Sequence, residues 1–108
     1  MALRTVSNTG GNWNATTAWV GGVVPIAGDT VDFTATSGNL TVNVSTANLA
    51  GIDFTNYTAI ITFNNLLNTS GTVNLGTGGF TIAGANFLNI NGTATLSGTT
   101  QWLSLIHI

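Results

Sequence analysis

The chain has 108 residues, which is enough for one domain with a modest core. The charged residues are Arg4 and the three acids Asp29, Asp32 and Asp53, so the net charge is −2. With so little positive charge, neither nucleic acid nor a membrane surface is expected as a partner. A hydrophobic fraction of 44% argues against disorder, no apolar run is long enough to span a membrane, and the absence of cysteine excludes disulfides and thiolate metal sites.

Residues 1–29 differ from the rest of the chain and are predicted to form an N-terminal cap. They contain Trp13, Trp19 and the only proline, Pro25. The first coil of a stacked β-structure exposes an apolar end and an unpaired strand edge, which bulky aromatic side chains are suited to cover. Asp29 follows Gly28 in a turn, where an aspartate usually accepts hydrogen bonds from the nearby backbone, so we expect it to be structural rather than a cation ligand.

From residue 30 onward, apolar residues recur every 21 positions, which is the signature of an internal repeat. The three longest columns are Val31, Ile52, Val73 and Ala94; Phe33, Phe54, Leu75 and Leu96; and Leu40, Ile61, Ile82 and Leu103. We expect these columns to form the core and the register to continue without insertion to the end of the chain.

The segments between the columns predict strands and turns. Runs such as 31–33 and 52–54 alternate apolar and polar residues, which is typical of a strand with one buried face. Clusters rich in Gly, Asn and Ser separate them. The sequence therefore predicts an all-β fold, a β-solenoid of about 21 residues per coil over residues 30–102, with equivalent residues about 4.8 Å apart. The alternative is a β-sandwich, which does not require a fixed period.

The segment from Asn12 to Val31, with Trp13, Trp19 and a Val-Pro…Gly-Asp-Thr-Val turn, resembles the start of right-handed β-helix proteins of the phage tail-associated and bacterial cell-surface type. The resemblance implies a single-stranded right-handed β-helix in a virion, extracellular or cell-surface setting. The N-terminus shows no apolar segment of a secretory signal. Expected partners are further copies of the chain, as a homo-oligomer such as a trimer, and host-surface polysaccharide. No cofactor is expected.

Asp32 and Asp53 occupy one position of the repeat. Such a pair would serve as calcium ligands or as the acid and base of a glycoside hydrolase, or it would be a solvated ladder on the outer face. We favour the ladder because both acids alternate with buried residues, and two exposed charges at this spacing repel by only about 1 kcal/mol in water. No catalytic residue and no metal ligand is assigned.

Aromatic side chains are the other candidates for binding, because they stack on sugar rings. For Trp13 and Trp19 we favour packing in the cap. Tyr57 lies in a turn beside Asn56 and Thr58, so we expect it to be exposed, and it is the candidate ligand contact. His107 is the only histidine, and without an acidic or thiol partner it is a poor catalytic candidate.

Residues 103–108 resemble the translated start of a common sequencing adapter, so we expect a non-native tail and a natural protein that continues beyond it. The leading hypothesis is a non-enzymatic structural and adhesive segment of a phage tail-associated or bacterial surface protein. The alternative is the N-terminal, non-catalytic part of a polysaccharide lyase or hydrolase whose active site lies in further coils.

Overall fold

A computed structural model describes residues 2–74 and 80–84, together with the strand backbones at 88–90, 96–97 and 106–107. The strands are β1 (Leu3–Thr5), β2 (Gly11–Asn12), β3 (Thr30–Asp32), β4 (Leu40–Val42), β5 (Leu49–Asp53), β6 (Ile60–Phe63), β7 (Leu67–Asn74), β8 (Thr81–Gly84), β9 (Leu88–Ile90), β10 (Leu96–Ser97) and β11 (Ile106–His107). Within these ranges the only helical element is one 3-10 turn at Thr16–Ala18. The predicted all-β class is confirmed.

The strands form two parallel sheets. The larger sheet has the order β1-β3-β5-β7-β9-β11, with β10 also paired to β7, and the smaller sheet has the order β2-β4-β6-β8. From β1 to β9 the chain alternates between the sheets, so each new strand lies beside the strand two elements earlier. Parallel neighbours need such a crossing connection, because a tight hairpin can join only antiparallel strands.

The 21-residue spacing is the pairing register of the central strands. In the larger sheet Val31 lies opposite Ile52, and Ile52 lies opposite Val73. The smaller sheet pairs Leu40 with Ile61 at the same offset. Each column of the repeat is therefore a row of side chains across neighbouring strands, which lie about 4.8 Å apart.

The expectation that this register continues to the end of the chain is wrong. Leu96 pairs with Val73, 23 residues earlier, and Ile106 pairs with Leu88, 18 residues earlier. Alternate residues of a strand share one face, so a shift of two positions keeps an apolar residue on the same side. Apolar identity alone therefore could not distinguish the two registers of Leu96.

The core lies between the two sheets and is built from the inward positions of both. Its fully or nearly fully buried members include Val31, Phe33, Leu40, Val42, Leu49, Ile52, Phe54, Ile61, Phe63, Leu67 and Val73. Ile82 is partly buried against them. Of the other expected core residues, Leu75 and the side chain of Leu96 lie outside the described part of the chain.

Aromatic rings stack along one side of the core. The ring centroids of Phe33 and Phe54 are 4.5 Å apart, and those of Phe54 and Phe80 are 4.7 Å apart. Tyr57 lies beside this stack, 4.9 Å from Phe33. Ring pairs of this kind contribute about 0.5–1.5 kcal/mol beyond the apolar area they bury. Phe80, which the repeat did not assign to this column, extends the stack beyond Phe54.

The N-terminal segment joins the sheets and also covers their first edge. Strand β1 pairs with β3, and β2 pairs with β4. Residues 13–29 form the long connection that follows β2. Val6 makes an antiparallel bridge with Trp19, and the N–H of Val20 donates to the carbonyl of Thr5 over 2.9 Å. The outer edge of β1 is thereby partly paired, which limits its exposure to other strands.

Candidate functional site

The outer face of the larger sheet carries two rows of polar residues. Strand pairing aligns Thr30 with Gly51 and Gly51 with Thr72. These three residues face outward, because each lies next to an inward-facing core residue. Two positions further along the strands, Asp32, Asp53 and Asn74 align in the same way. The first row is interrupted in the middle, because glycine has no side chain to fill the space between the two threonines.

A shallow hollow of about 320 Å³ lies over this interruption. Its lining residues belong to three neighbouring strands and are Thr30, Ala50, Gly51, Ile52, Asp53, Thr72 and Asn74. The polar groups around it are two hydroxyls, an amide and a carboxylate. In the described part of the chain, the Thr30 and Thr72 hydroxyls make no hydrogen bond to protein.

Asp32 and Asp53 lie side by side on adjacent strands, as the repeat predicts. Partial burial, and then the charge of Asp53, raise the pKa of the Asp32 carboxyl above its ordinary value. Asp53 is oriented locally, since its Oδ1 accepts hydrogen bonds from the backbone N–H of Thr55 over 2.9 Å and from the Thr55 hydroxyl over 2.5 Å. One oxygen of the Asp53 carboxylate is thus engaged by the following turn.

Asp29 lies away from these rows and ties the N-terminal strand to the turn before β3. Its carboxylate accepts from the backbone N–H of Ile26 and of Ala2, both over 3.0 Å, and from Arg4 Nε over 3.3 Å. The pKa of Asp29 is lowered, most strongly by the hydrogen bond from the Ile26 N–H and further by Ala2 and Arg4. Desolvation acts in the opposite direction but does not cancel this effect. A carboxylate occupied by three donors acts as a structural anchor, which matches the structural role expected for this turn.

Tyr57, the predicted ligand contact, is buried, and the expectation that it is exposed is wrong. Only 1% of the residue is accessible. Its hydroxyl lies 2.9 Å from the carbonyl oxygens of both Gly38 and Ile60 and donates to one of them at a time. The turn residues around it are polar, but the ring packs inward against Phe33, so no ring face is available to a sugar.

The remaining cap residues are also buried. Trp13 and Trp19 are each 2% exposed, and their rings meet edge to face with centroids 4.8 Å apart. The indole N–H of Trp19 donates to the carbonyl of Trp13 over 2.8 Å, which satisfies its one polar group. Pro25 is buried as well. These residues pack within the fold and present no aromatic surface for binding.

A row of asparagines at one corner of the fold was not anticipated from the sequence. Asn43 Nδ2 donates to Asn14 Oδ1 over 2.9 Å, and Asn65 Nδ2 donates to the carbonyl of Asn43 over 2.9 Å. Asn65 lies 22 residues after Asn43, one position beyond the 21-residue interval, so the repeat did not predict this contact. The Asn14 contact depends on how residues 13–29 fold back, which no periodicity reports.

Gly51 is the residue of the hollow that sequence reasoning missed. The signal was present, because Thr30, Gly51 and Thr72 lie at the repeat interval. A glycine between two outward threonines would have indicated a gap in the outer face. The side chain of His107 lies outside the described residues.

The described residues hold neither a membrane-spanning helix nor a cluster of metal-ligating side chains. None of the helices in these ranges is long and apolar enough to cross a membrane. The same ranges hold no group of three or more His, Cys, Asp or Glu side chains placed to hold a metal ion.

No protein-family model, curated protein or solved structure matches this chain.

Proposed function

We propose that this chain is a structural and adhesive segment of a right-handed β-helix protein of the phage tail-associated or bacterial cell-surface type. The observation that carries the proposal is the register of the central strands, where columns one coil apart pair in parallel in both sheets. Such stacking makes a rigid element that lengthens by whole coils. Right-handed winding is supported by the strong general preference for right-handed crossovers between parallel strands.

The surface chemistry supports contact with glycans more than contact with charged partners. The outward rows described above consist of hydroxyl, amide and carboxylate groups, and the chain has a single basic residue. Hydroxyls and amides both donate and accept hydrogen bonds, as the hydroxyl groups of sugars require. A segment of this kind would act as a stiff spacer with shallow polar recognition along its side.

Duplication of one coil tests the architecture directly. We expect a chain in which residues 31–51 occur twice to fold with unchanged β-sheet content and equal or higher stability, because a whole extra coil preserves every column. The matched control inserts only residues 31–40, which displaces the following strands by about half a coil. Circular dichroism and urea unfolding followed by tryptophan fluorescence provide the measurements.

The proposal fails if the whole-coil insertion unfolds the chain as completely as the half-coil insertion. A high-resolution structure of the duplicated protein would settle handedness, and left-handed winding would contradict the β-helix type proposed here.

A further inference from the structure

The hollow over Gly51 has the form of a small ligand site. Its volume of about 320 Å³ lies at the lower end of the range of roughly 300–1,000 Å³ that is usual for small-molecule sites. Thr30 on β3 and Thr72 on β7 bound it on two sides, with Asp53 two positions after Gly51 on β5 and Asn74 two positions after Thr72 on β7. These groups lie on paired strands of the larger sheet, so their arrangement is rigid before any ligand binds.

The charge around the hollow selects against anions. Asp53 lines it, and Asp32 occupies the next strand in the same row. Arg4, the only basic residue, is bonded to Asp29 and does not line the hollow. An anionic ligand would therefore meet carboxylates without a compensating cation, which is costly even at partial burial.

The hydrogen-bonding groups suit a ligand that carries several hydroxyls. The Thr30 and Thr72 hydroxyls each donate and accept, Asn74 has an amide, and the carboxylate of Asp53 accepts. Two neighbouring hydroxyls of a sugar ring present donors and acceptors in this combination. From these groups and the hollow between them, we propose that this site binds one hexose unit of an uncharged glycan; the inference rests on the adhesive role proposed above and names its contact surface.

Chemical-shift mapping of the full chain with neutral oligosaccharides tests the site. The probes are tetrasaccharides of glucose, galactose and mannose, added to the 15N-labelled protein at millimolar concentration. We expect at least one of them to shift the amide signals of Gly51, Asp53 and Thr72 while the signals of the smaller sheet stay in place. A tetrasaccharide of uronic acids should shift none of these signals.

Matched threonine variants separate binding from folding. Thr72→Val and Thr30→Val keep the β-branched shape and remove only the hydroxyl, so we expect each to weaken binding about fivefold to tenfold. Thr62→Val is the control, because Thr62 occupies an outward strand position of the smaller sheet, away from the hollow. It should bind as tightly as the parent chain.

Three results would overturn the site. One is glycan-induced shifts that map to other residues, which would remove the hollow but leave an adhesive segment standing. Another is a hollow that takes no part in binding, seen either as unchanged affinity in both hollow variants or as no shift with any neutral probe. The third is a response of Asp53 and Thr72 to calcium chloride alone, which would assign the hollow to a cation. The coil duplication tests the proposed function separately, so either idea can fail without the other.

Discussion

At the scale of single residues, Tyr57 is a phenol enclosed by the core. Burial raises the pKa of its hydroxyl to about 12 from an ordinary value of 10.0, while the backbone N–H of Leu40 acts in the opposite direction. Because the pKa is raised on folding, the stabilising contribution is complete below pH 10 and is lost as the pH rises through about 12.

The titration of Tyr57 can be observed without interference, since it is the only tyrosine. We expect the absorbance of the phenolate near 295 nm to rise with a midpoint at about pH 12 in the folded chain and near 10.0 in urea. Tyr57→Phe should abolish the transition and lower the free energy of unfolding by about 1–2 kcal/mol, because a buried carbonyl loses its donor. A folded-state midpoint near 10 would show that the ring is exposed.

Asp29 links the stability of the N-terminal strand to pH. Its pKa is lowered on folding, so its contribution is present above the ordinary value of 3.8 and is lost as the pH falls through the lower folded-state value. We expect Asp29→Asn to lower the urea midpoint at pH 7, because an amide cannot serve all three donors. The difference from the parent chain should shrink as the pH falls below 3.8.

Asp32 provides a control, because its pKa shifts on folding in the opposite direction to that of Asp29. Its pKa is raised on folding, so its contribution is complete below the ordinary value and decreases as the pH rises through the folded-state value. Asp32→Asn should therefore raise stability at pH 7, by less than about 1 kcal/mol because the carboxylate is partly exposed, and should change nothing near pH 3. If Asp29→Asn leaves the midpoint at pH 7 unchanged or raises it, the assignment of Asp29 as an anchor is wrong.

At the scale of the strand, β7 depends on one glycine. Its pairing with β5 shifts register between Leu49 and Gly51, so β7 contains one extra residue there. A Cβ on Gly71 would overlap the carbonyl group of Ala50. Position 71 therefore has no room for a side chain because the backbone at Ala50 lies too close. The φ angle of Gly71 is not the reason, since it is not positive.

Gly71→Ala tests the bulge. We expect a loss of about 1–3 kcal/mol in the free energy of unfolding, since β5 and β7 would have to separate locally. Ser70→Ala is the matched control, because Ser70 is the exposed neighbour on the same strand and its side chain becomes smaller. Denaturant unfolding followed by tryptophan fluorescence measures both, and equal stability of the two variants would contradict the close approach at Gly71.

At the scale of the whole molecule, stability depends on apolar packing and the backbone ladder, with little contribution from charge. The chain has four charged side chains, Arg4 and three aspartates, and the ion pair that the described residues contain joins Arg4 to Asp29. Salt screens exposed charges, so a protein with few of them responds weakly. The thermal midpoint should change by less than about 2 °C between 0.02 and 0.2 M NaCl, by differential scanning fluorimetry. A shift of 5 °C or more would show that charge contributes substantially to the stability of the fold.

Periodicity predicted the parts of the fold that repeat. The all-β class, the pairing of Val31 with Ile52 and the burial of Phe33 and Phe54 follow from apolar residues that recur at a constant interval. The adjacency of Asp32 and Asp53 follows in the same way. A repeat constrains these features because one residue type at one position of each coil meets its equivalents in the next coil.

Features that depend on a single position required the tertiary structure. The inward ring of Tyr57, the anchor at Asp29 and the joining of β1 to β3 arise from contacts between segments without a common period. The register of Leu96 also escaped prediction, since positions two residues apart in a strand carry the same apolar signal. The sequence by itself determined which residues stack and which face is polar, because both depend on local alternation. Only the folded chain decided where the outer face is open and which polar groups are already occupied, because those depend on what lies beside each residue in space.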